Sequence, residues 1–445
     1  MFLIAPKATA ECPSYLTKCF RHLVPVHPGE QSTLQEDTSE LGKAKKCARK
    51  HLKKIELKCT DIEKFSQAAR TYLNSLRCLQ AAMLEVNKGL PLEQRLSIRQ
   101  ILDVSKTYKV LEKLDEKASV RLKLKSSGNG FRPICDFGPV ARGAQRMALH
   151  LVRAINKLAE FQYTRRGVHE AISKACKLIK KEGYHHVADV DIINHFPSFT
   201  LDALTKSIPL PKAAIREIVM AGSIDWVTIK SPFMDNVLSC PVPHGIPQGS
   251  AASSAVAEWS VSQLKLIEVP ETALLNYADN FFLFAKNQSA MDAALEALSL
   301  AITKLPGGTF SSKVKQTRTT AQGFSMLGLW IWFSEGEIEI MLTNENTQRL
   351  RRNFERSLQY AKERLLAYEK SSNPQDRQVG VQSYLRAQGQ VIGWASIYAM
   401  CKDMPMFRDD LLSELAVTGQ VFEITEAELK AAADAYTAPR YVPYM

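Results

Sequence analysis

The 445-residue sequence has no run of about 18 or more apolar residues, the length that a membrane-spanning helix needs. Residues 1–6 (MFLIAP) are a short apolar stretch without a basic leader, so they do not predict a secretory signal peptide. Internal repeats and long low-complexity tracts are also absent. We therefore expect a cytoplasmic globular protein with no membrane partner, long enough for about two to four subdomains and a sizeable core.

Cysteine is present nine times, an odd number, and never as a Cys-x-x-Cys pair. Such pairs are typical of zinc ribbons, and even numbers are typical of disulfide frameworks, so the pattern disfavours both. We expect reduced, mostly buried thiols.

Positive charge is in excess: 58 lysines and arginines face 46 acidic residues, which gives a formal net charge of +12. This balance favours a polyanionic partner, either nucleic acid or an acidic membrane surface. The basic run at residues 43–54 has two interpretations, a solvated helix face or a phosphate-contacting surface.

Two strand-like segments each carry a carboxylate near one end. Residues 274–285 (LLNYADNFFLFA) predict a β-hairpin with Asp279 and Asn280 as its two-residue turn. Residues 187–193 (VADVDII) predict a strand with Asp191 near its end, and the strand period of two puts Asp189 on the same face. If the strands are neighbours, Asp191 and Asp279 meet, and two carboxylates can hold a pair of Mg²⁺ ions about 3.5–4 Å apart for phosphoryl transfer.

Two further segments suit phosphate binding. Residues 121–134 predict a basic β-hairpin around a Ser- and Gly-containing turn, whose cations can neutralise a triphosphate; the alternative is an exposed polar hairpin. Residues 244–250 (HGIPQGS) precede a run of small residues that predicts a helix, and free N–H groups at a helix start favour phosphate.

These segments resemble sequence blocks of prokaryotic reverse transcriptases and occur in that family's order. Residues 277–280 resemble the YxDD box, residues 191–198 the first catalytic block, residues 244–250 the GxPQGS block and residues 323–329 the primer-grip hairpin. The resemblance covers roughly residues 121–398 and points to the superfamily of group II intron, diversity-generating and retron enzymes. The sequence shows neither the endonuclease motif of many intron enzymes nor the motifs of retron enzymes. By exclusion, we hypothesise a defence-associated or unknown-group reverse transcriptase. Antiviral defence would then be one role of the protein.

The resemblance implies an α+β right-hand polymerase fold with fingers, a palm built on an antiparallel sheet, and a helical thumb. We expect an N-terminal helical extension over residues 1–110, fingers over 111–186, a palm over 187–335 with an insertion near 200–235, and a thumb with a tail over 336–445. A basic helix beginning near residue 344, with an apolar stripe on its other face, would contact duplex backbone as the thumb.

The resemblance also implies the site residues. Metal ligands are expected at Asp191, Ile192 and Asp279, with Asp189 as the alternative to Asp191. Asn280 belongs to the catalytic group, and Lys315 or Lys313 would protonate the pyrophosphate. Phe196 would exclude a ribose 2′-hydroxyl and so select dNTPs, unless it is only a core residue. The remaining substrate-binding residues are Arg132 as triphosphate clamp, Lys123 or Lys125 assisting it, and Gln248, Gly249 and Tyr277.

One position departs from the family pattern, because Asn280 stands where the YxDD box has its second aspartate. An amide oxygen ligates Mg²⁺ without adding negative charge, so metal affinity should fall and Mn²⁺ is an alternative cofactor. The sequence therefore predicts an RNA-directed DNA polymerase that extends a DNA or protein primer on an RNA template. The alternatives are a weakened enzyme acting as an RNA-binding scaffold and an RNA-synthesising polymerase. An associated non-coding RNA and the oligomeric state are left open.

Overall fold

A computed structural model describes residues 31–90, 94–106, 109–112, 114, 116–124, 131–228, 244–266 and 268–435. Its main helices are α1 (Gln31–Lys58), α2 (Ile62–Leu73), α3 (Leu76–Lys88), α4 (Ile98–Lys106), α5 (Pro139–Ile155), α6 (Val168–Glu182), α7 (Leu201–Ser207), α8 (Lys212–Ala214, continued by a π-helical segment, Ile215–Val219), α9 (Ala251–Ser262), α10 (Gln288–Thr303), α11 (Asn344–Ser371), α12 (Pro374–Ile397), α13 (Met404–Val421) and α14 (Glu426–Ala435). Its strands are β1 (Lys117–Leu124), β2 (Phe131–Asp136), β3 (His186–Ile192), β4 (Asp225–Thr228), β5 (Thr272–Tyr277), β6 (Asn280–Ala285), β7 (Ser312–Thr319), β8 (Phe324–Met326), β9 (Leu329–Ser334) and β10 (Glu337–Leu342). The fold is therefore a mixture of helices and sheets.

The first of two structural units comprises Met1–Leu158, Asn194–Leu264 and Lys304–Phe310. Helix α5 is central to it and packs against α3 and α9. It is buried on most of its surface because small residues alternate with larger apolar ones. Gly143 permits the close approach to α3, since a Cβ at this position would overlap Met83.

A three-stranded sheet of order β2–β1–β4 belongs to the same unit. Strands β1 and β2 are antiparallel, as the basic hairpin predicted, and β1 pairs with β4 in parallel. The predicted turn at residues 126–130 lies outside the described residues, and so does Lys125 before it.

The second unit comprises Ala159–Ile193, Lys265–Thr303 and Ser311–Met445. Its four-stranded antiparallel sheet has the order β5–β6–β3–β7, and a three-stranded sheet has the order β10–β9–β8. Strand β6 carries the consecutive residues Phe281–Phe284, all of which are buried, because it is a central strand covered on both faces.

The helices that follow the second sheet confirm the predicted periodicity. The apolar stripe on α11 is buried along its length, and its members are Leu350, Phe354, Leu358, Ala361 and Leu365. The helix ends at Ser371 and α12 begins at Pro374, because proline is favoured in the first turn of a helix and cannot continue the preceding one. None of the helices in the described ranges combines the length and apolarity that crossing a bilayer requires. The four-part division into extension, fingers, palm and thumb stays a prediction.

Candidate metal and catalytic site

The strand pairing of the second unit brings the two predicted acids to the same end of the sheet. Strands β3 and β6 are antiparallel neighbours, and Asp191 lies directly opposite Asn280. The backbone N–H of Ile192 donates a hydrogen bond to the carbonyl oxygen of Asp279 at 3.4 Å. Residues 191 and 279 are 88 positions apart in the sequence, so this sheet register is what makes a shared site geometrically feasible.

The predicted hairpin is present, but its turn lies one residue earlier than expected. Tyr277 pairs with Asn280, so the two turn residues are Ala278 and Asp279. Ala278 has φ of +55°, a conformation that costs a residue with a Cβ about 1–2 kcal/mol. Asn280 is therefore the first residue of β6, and the carboxylate rather than the amide is at the turn.

Two polar side chains hold this turn in place. The hydroxyl oxygen of Thr164 accepts a hydrogen bond from the N–H of Ala278 at 2.9 Å. The buried Asn276 donates from Nδ2 to the carbonyl oxygens of Ala278 and Asn280, each at 3.0 Å. Because three hydrogen bonds fix the turn backbone, they offset the cost of its left-handed residue and position Asp279.

Lys315 contacts both sides of the site. Its Nζ lies 3.3 Å from Oδ1 of Asp191 and donates to Oδ1 of Asn280 at 2.6 Å. The register between β3 and β7 shifts at this point: Asp189 pairs with Gln316 and Val190 with Val314, so Lys315 is the extra residue of a β-bulge. Bulges redirect side chains, which explains why Lys315 rather than Lys313 extends to the acids.

The ionised forms of Asp189 and Asp191 are disfavoured in the absence of a bound cation. Burial raises the pKa of Asp189 to about 6; Lys315 opposes this shift, and Asp191 and Asp279 add to it. The pKa of Asp191 is raised by burial, and more weakly by Asp279, against the effect of Lys315. Oδ1 of Asp189 is buried and has no hydrogen-bond donor in the described part of the chain. Acidic groups of this kind fit a divalent cation, which would stabilise their ionised forms.

The three aspartate side chains would have to move closer together to bind one ion jointly. The oxygens of Asp189, Asp191 and Asp279 are not all within 4.8 Å of one another. Lys315 supplies the nearby positive charge, and it would have to yield part of its contact with Asp191 to an entering metal. The side chain of Ile192 is aliphatic and has no ligand atom, so this residue can ligate only through its carbonyl oxygen.

The remaining predicted site residue of this unit is Tyr277. Its side chain is 5% exposed and belongs to a large hydrophobic cluster. Burial, and secondarily Tyr398, raises the pKa of its hydroxyl to about 12. Its predicted role in substrate binding stays a prediction.

The loop of residues 244–250 belongs to the first unit and lies against two other predicted segments there. The N–H of Ile246 donates a hydrogen bond to the carbonyl oxygen of Phe196 at 3.1 Å. The N–H of Cys135 donates a hydrogen bond to the carbonyl oxygen of Gln248 at 2.7 Å. Gly249 has φ of +107°, and a Cβ there would overlap the carbonyl oxygen of Cys135. The loop thus joins the segment of Phe196 to strand β2, which also carries Arg132.

Phe196 is half-buried, so it is not simply a core residue. The fully buried aromatic contacts beside it are made by Phe199, Phe310 and His195, with ring centroids 5.0–5.5 Å apart. The Phe196 ring touches only the edge of this group, 6.0 Å from His195. Part of its ring is therefore free to contact a ligand.

Arg132 is exposed on β2, directly opposite Lys123 in the sheet register. The first unit thus contains Arg132, Phe196, Gln248 and Gly249, whereas the acids, Asn280 and Lys315 belong to the second.

Comparisons with known proteins add little to this description. No protein-family model and no curated protein matches the chain. Among solved structures, the telomerase of Candida albicans, in complex with a fragment of telomeric RNA, has a TM-score of 0.33 and 10% identity over 74% of this chain and 65% of that one. The apo telomerase of Candida tropicalis has a TM-score of 0.33 and 12% identity over 52% of this chain and 56% of that one. This chain thus spans less than two thirds of either telomerase, and likeness at this level carries no argument about its activity.

Sequence reasoning missed Thr164 and Asn276, the residues that hold the turn. Asn276 had a signal, since it is a polar residue in an otherwise apolar strand, where an unpaired amide would be costly. Thr164 had none, because its contact with Ala278 joins positions 114 residues apart.

Proposed function

We propose that this protein is an RNA-directed DNA polymerase that extends a primer with dNTPs by a two-metal mechanism. The observation that supports it best is the sheet register that places Asp191 opposite Asn280 and beside Asp279. The same residues belong to sequence blocks that occur in the order found in reverse transcriptases. A raised carboxylate pKa and an unpaired buried oxygen in the same cluster fit a site for cations.

In this proposal Asp191, Asp279 and the carbonyl oxygen of Ile192 hold Mg²⁺ or Mn²⁺, and the amide oxygen of Asn280 assists without charge. When bound, the metals would activate the primer hydroxyl and stabilise the developing charge at the α-phosphate. The bulge directs Lys315 toward Asp191. In this proposal Lys315 neutralises charge at this end of the sheet and gives a proton from Nζ to the pyrophosphate. Ionised Asp189 would add further negative charge behind Asp191.

Substrate selection is assigned to residues of the first unit. Arg132, assisted by Lys123 or Lys125, would neutralise the triphosphate, and Gln248 and Gly249 would position template and nucleotide. The partly free ring of Phe196 would stand against the 2′ position of the sugar and so favour dNTPs over NTPs. The basic face of α11 would contact the backbone of the template–primer duplex.

Primer extension tests this proposal with the full chain, a homopolymeric RNA template, a labelled DNA primer, and either Mg²⁺ or Mn²⁺. Elongation with dNTPs, and little with NTPs, is the expected result. Elongation with NTPs alone would instead indicate an RNA-synthesising polymerase.

A catalytically weakened RNA-binding scaffold is the second candidate, and a specific observation favours it. Asn280 lowers the negative charge of the site, and Lys315 already neutralises part of what remains. No incorporation with either metal, together with retained RNA binding, would support the scaffold and reject the polymerase.

A further inference from the structure

A second cluster of metal-ligating side chains lies in the first unit, between helices α1 and α3. Cys47 and His51 are four residues apart on α1, so they share one face of that helix. Cys78 extends from α3. The ligand atoms of these three residues all lie within 4.8 Å of one another. Within the described residues, no other group of three or more His, Cys, Asp or Glu side chains has this spacing.

We propose that this Cys–His cluster (Cys47, His51 and Cys78) binds one Zn²⁺ ion. Two thiolates and one imidazole are a ligand set that Zn²⁺ prefers. In a tetrahedral site with Zn–S bonds of about 2.3 Å, neighbouring ligand atoms are about 3.8 Å apart. The observed spacing therefore needs closing by at most about 1 Å, which rotation of the side chains can supply.

The helices that carry the cluster are well anchored. Ala44, Ala48 and Leu52 of α1 are fully buried, and so is Cys78. Cys47 and His51 are half-buried, so an ion can enter from solvent while the helix backbones stay in place. Ligands on packed helices are held more rigidly than ligands on loops, which favours a specific site.

The surroundings also provide a fourth ligand position. Ser75, the N-cap residue of α3, has its hydroxyl oxygen 3.8 Å from Sγ of Cys47 and accepts a hydrogen bond from the N–H of Cys78. Either this hydroxyl or a water molecule can complete the coordination. The ring of Tyr72 lies 6.3 Å from that of His51 and limits its movement on the buried side.

The charges in the cluster are compatible with the ion. Burial, with Lys54 and Lys50, lowers the pKa of His51, which favours the neutral imidazole, the form that ligates metals. Zn²⁺ bound to two thiolates has no net charge, so these lysines would not repel the complex. Burial raises the pKa of the Cys78 thiol to about 12, so this thiol must lose its proton to solvent when the metal binds.

Cobalt titration of the reduced full chain tests the proposal, because Co²⁺ replaces Zn²⁺ and its thiolate complexes absorb light. We expect one Co²⁺ per chain, thiolate-to-cobalt absorption, proton release during the titration, and displacement by Zn²⁺. Cys47→Ser, His51→Gln and Cys78→Ser should each weaken binding by more than the roughly 10–100-fold that loss of an outer-shell partner costs. Cys59→Ser, a half-buried cysteine outside the cluster, is the matched control and should bind as the wild type does.

Circular dichroism shows whether each variant is folded. The metal stoichiometry and the proton release are measured on the wild type, so these two results test the proposal even where a variant does not fold. Absence of thiolate absorption in the reduced wild type would overturn the proposal. Equal binding by folded variants of all three ligands would overturn it as well. A metal-free protein in which Cys47 and Cys78 form a disulfide even under reducing conditions would show that these thiols serve another purpose.

Discussion

Asn280 is an uncharged residue at a position where the YxDD box of reverse transcriptases has a carboxylate. It lies opposite Asp191, and its amide oxygen accepts a hydrogen bond from Lys315. Replacing the amide by a carboxylate should raise metal affinity, because ligand charge is a main determinant of affinity for hard cations.

We therefore predict that Asn280→Asp lowers the Mg²⁺ concentration for half-maximal incorporation by about fivefold, or about 1 kcal/mol, since the added charge is partly solvated. A magnesium titration of primer extension measures this. Asn287→Asp adds the same charge beyond the other end of β6 and is the control. An unchanged magnesium requirement would mean that Asn280 is not near the metal.

Phe196 gives a second prediction at this scale. Phe196→Ala should raise the ratio of NTP to dNTP incorporation by at least about tenfold, because removing the ring leaves room for a 2′-hydroxyl. Competition assays with matched nucleotides measure the ratio. Phe199→Ala, which removes a buried aromatic side chain nearby in sequence, should lower stability and leave sugar selection unchanged. A ratio unaffected by Phe196→Ala would reject the proposed role.

The β5–β6 hairpin is the element on which the candidate site depends, and the structure shows how its turn is stabilised. Two apolar, aromatic-rich runs around a polar pair were sufficient to predict a hairpin. This pattern could not predict that Ala278 adopts a positive φ, because that conformation depends on the hydrogen bonds that Ala278 donates to Thr164 and accepts from Asn276. For the same reason the turn lies at Ala278 and Asp279, one residue earlier than the sequence predicted.

Thr164→Val tests this element because it keeps the side-chain shape and removes the hydrogen-bond acceptor for Ala278. We predict that incorporation falls about tenfold, corresponding to loss of about 1–1.5 kcal/mol of positioning, while the protein stays folded. Single-turnover kinetics and thermal unfolding together distinguish the two effects. Thr164→Ser retains the hydroxyl and should behave as the wild type; equal loss in both variants would contradict the explanation.

Strand β7 shows a second limit of sequence reasoning. The sequence left Lys313 and Lys315 as alternatives, because both follow the same Gly-containing segment. A bulge between paired strands is not visible in a single sequence, yet it determines which lysine contacts Asp191. The Cys–His cluster was missed for a related reason, since Cys78 is 31 residues from Cys47 and only helix packing brings them together.

Across the whole molecule, the net charge of +12 predicts that binding of a nucleic-acid partner, as the proposed function requires, would be mainly electrostatic. Helix α11 contributes Arg352 and Arg356 as exposed cations on the side opposite its buried stripe. Its neighbour Arg351 is different, because it forms ion pairs with Asp410 and Glu414. These arginines provide a comparison within one element.

We predict that replacing Arg352 and Arg356 together by Gln makes the plot of log affinity for an RNA–DNA duplex against log salt shallower by about 1.5, since each phosphate contact contributes about 0.7–0.9. Arg351→Gln should change the slope by less than half as much, because its charge is already neutralised. Fluorescence anisotropy over a series of salt concentrations measures both. An unchanged slope in the double variant would show that Arg352 and Arg356 do not contact the duplex.

In the proposed mechanism, Asp191 and Asp279 together support metal-dependent nucleotide incorporation. The most direct measurement is single-turnover primer extension by Asp191→Asn, with RNA affinity measured in parallel and Asp292→Asn, an exposed acid on α10, as the control. We predict that Asp191→Asn lowers the rate at least about 1,000-fold, or about 4 kcal/mol of transition-state stabilisation, and leaves RNA affinity unchanged. Incorporation by Asp191→Asn at the rate of the control would show that Asp191 does not hold a catalytic metal.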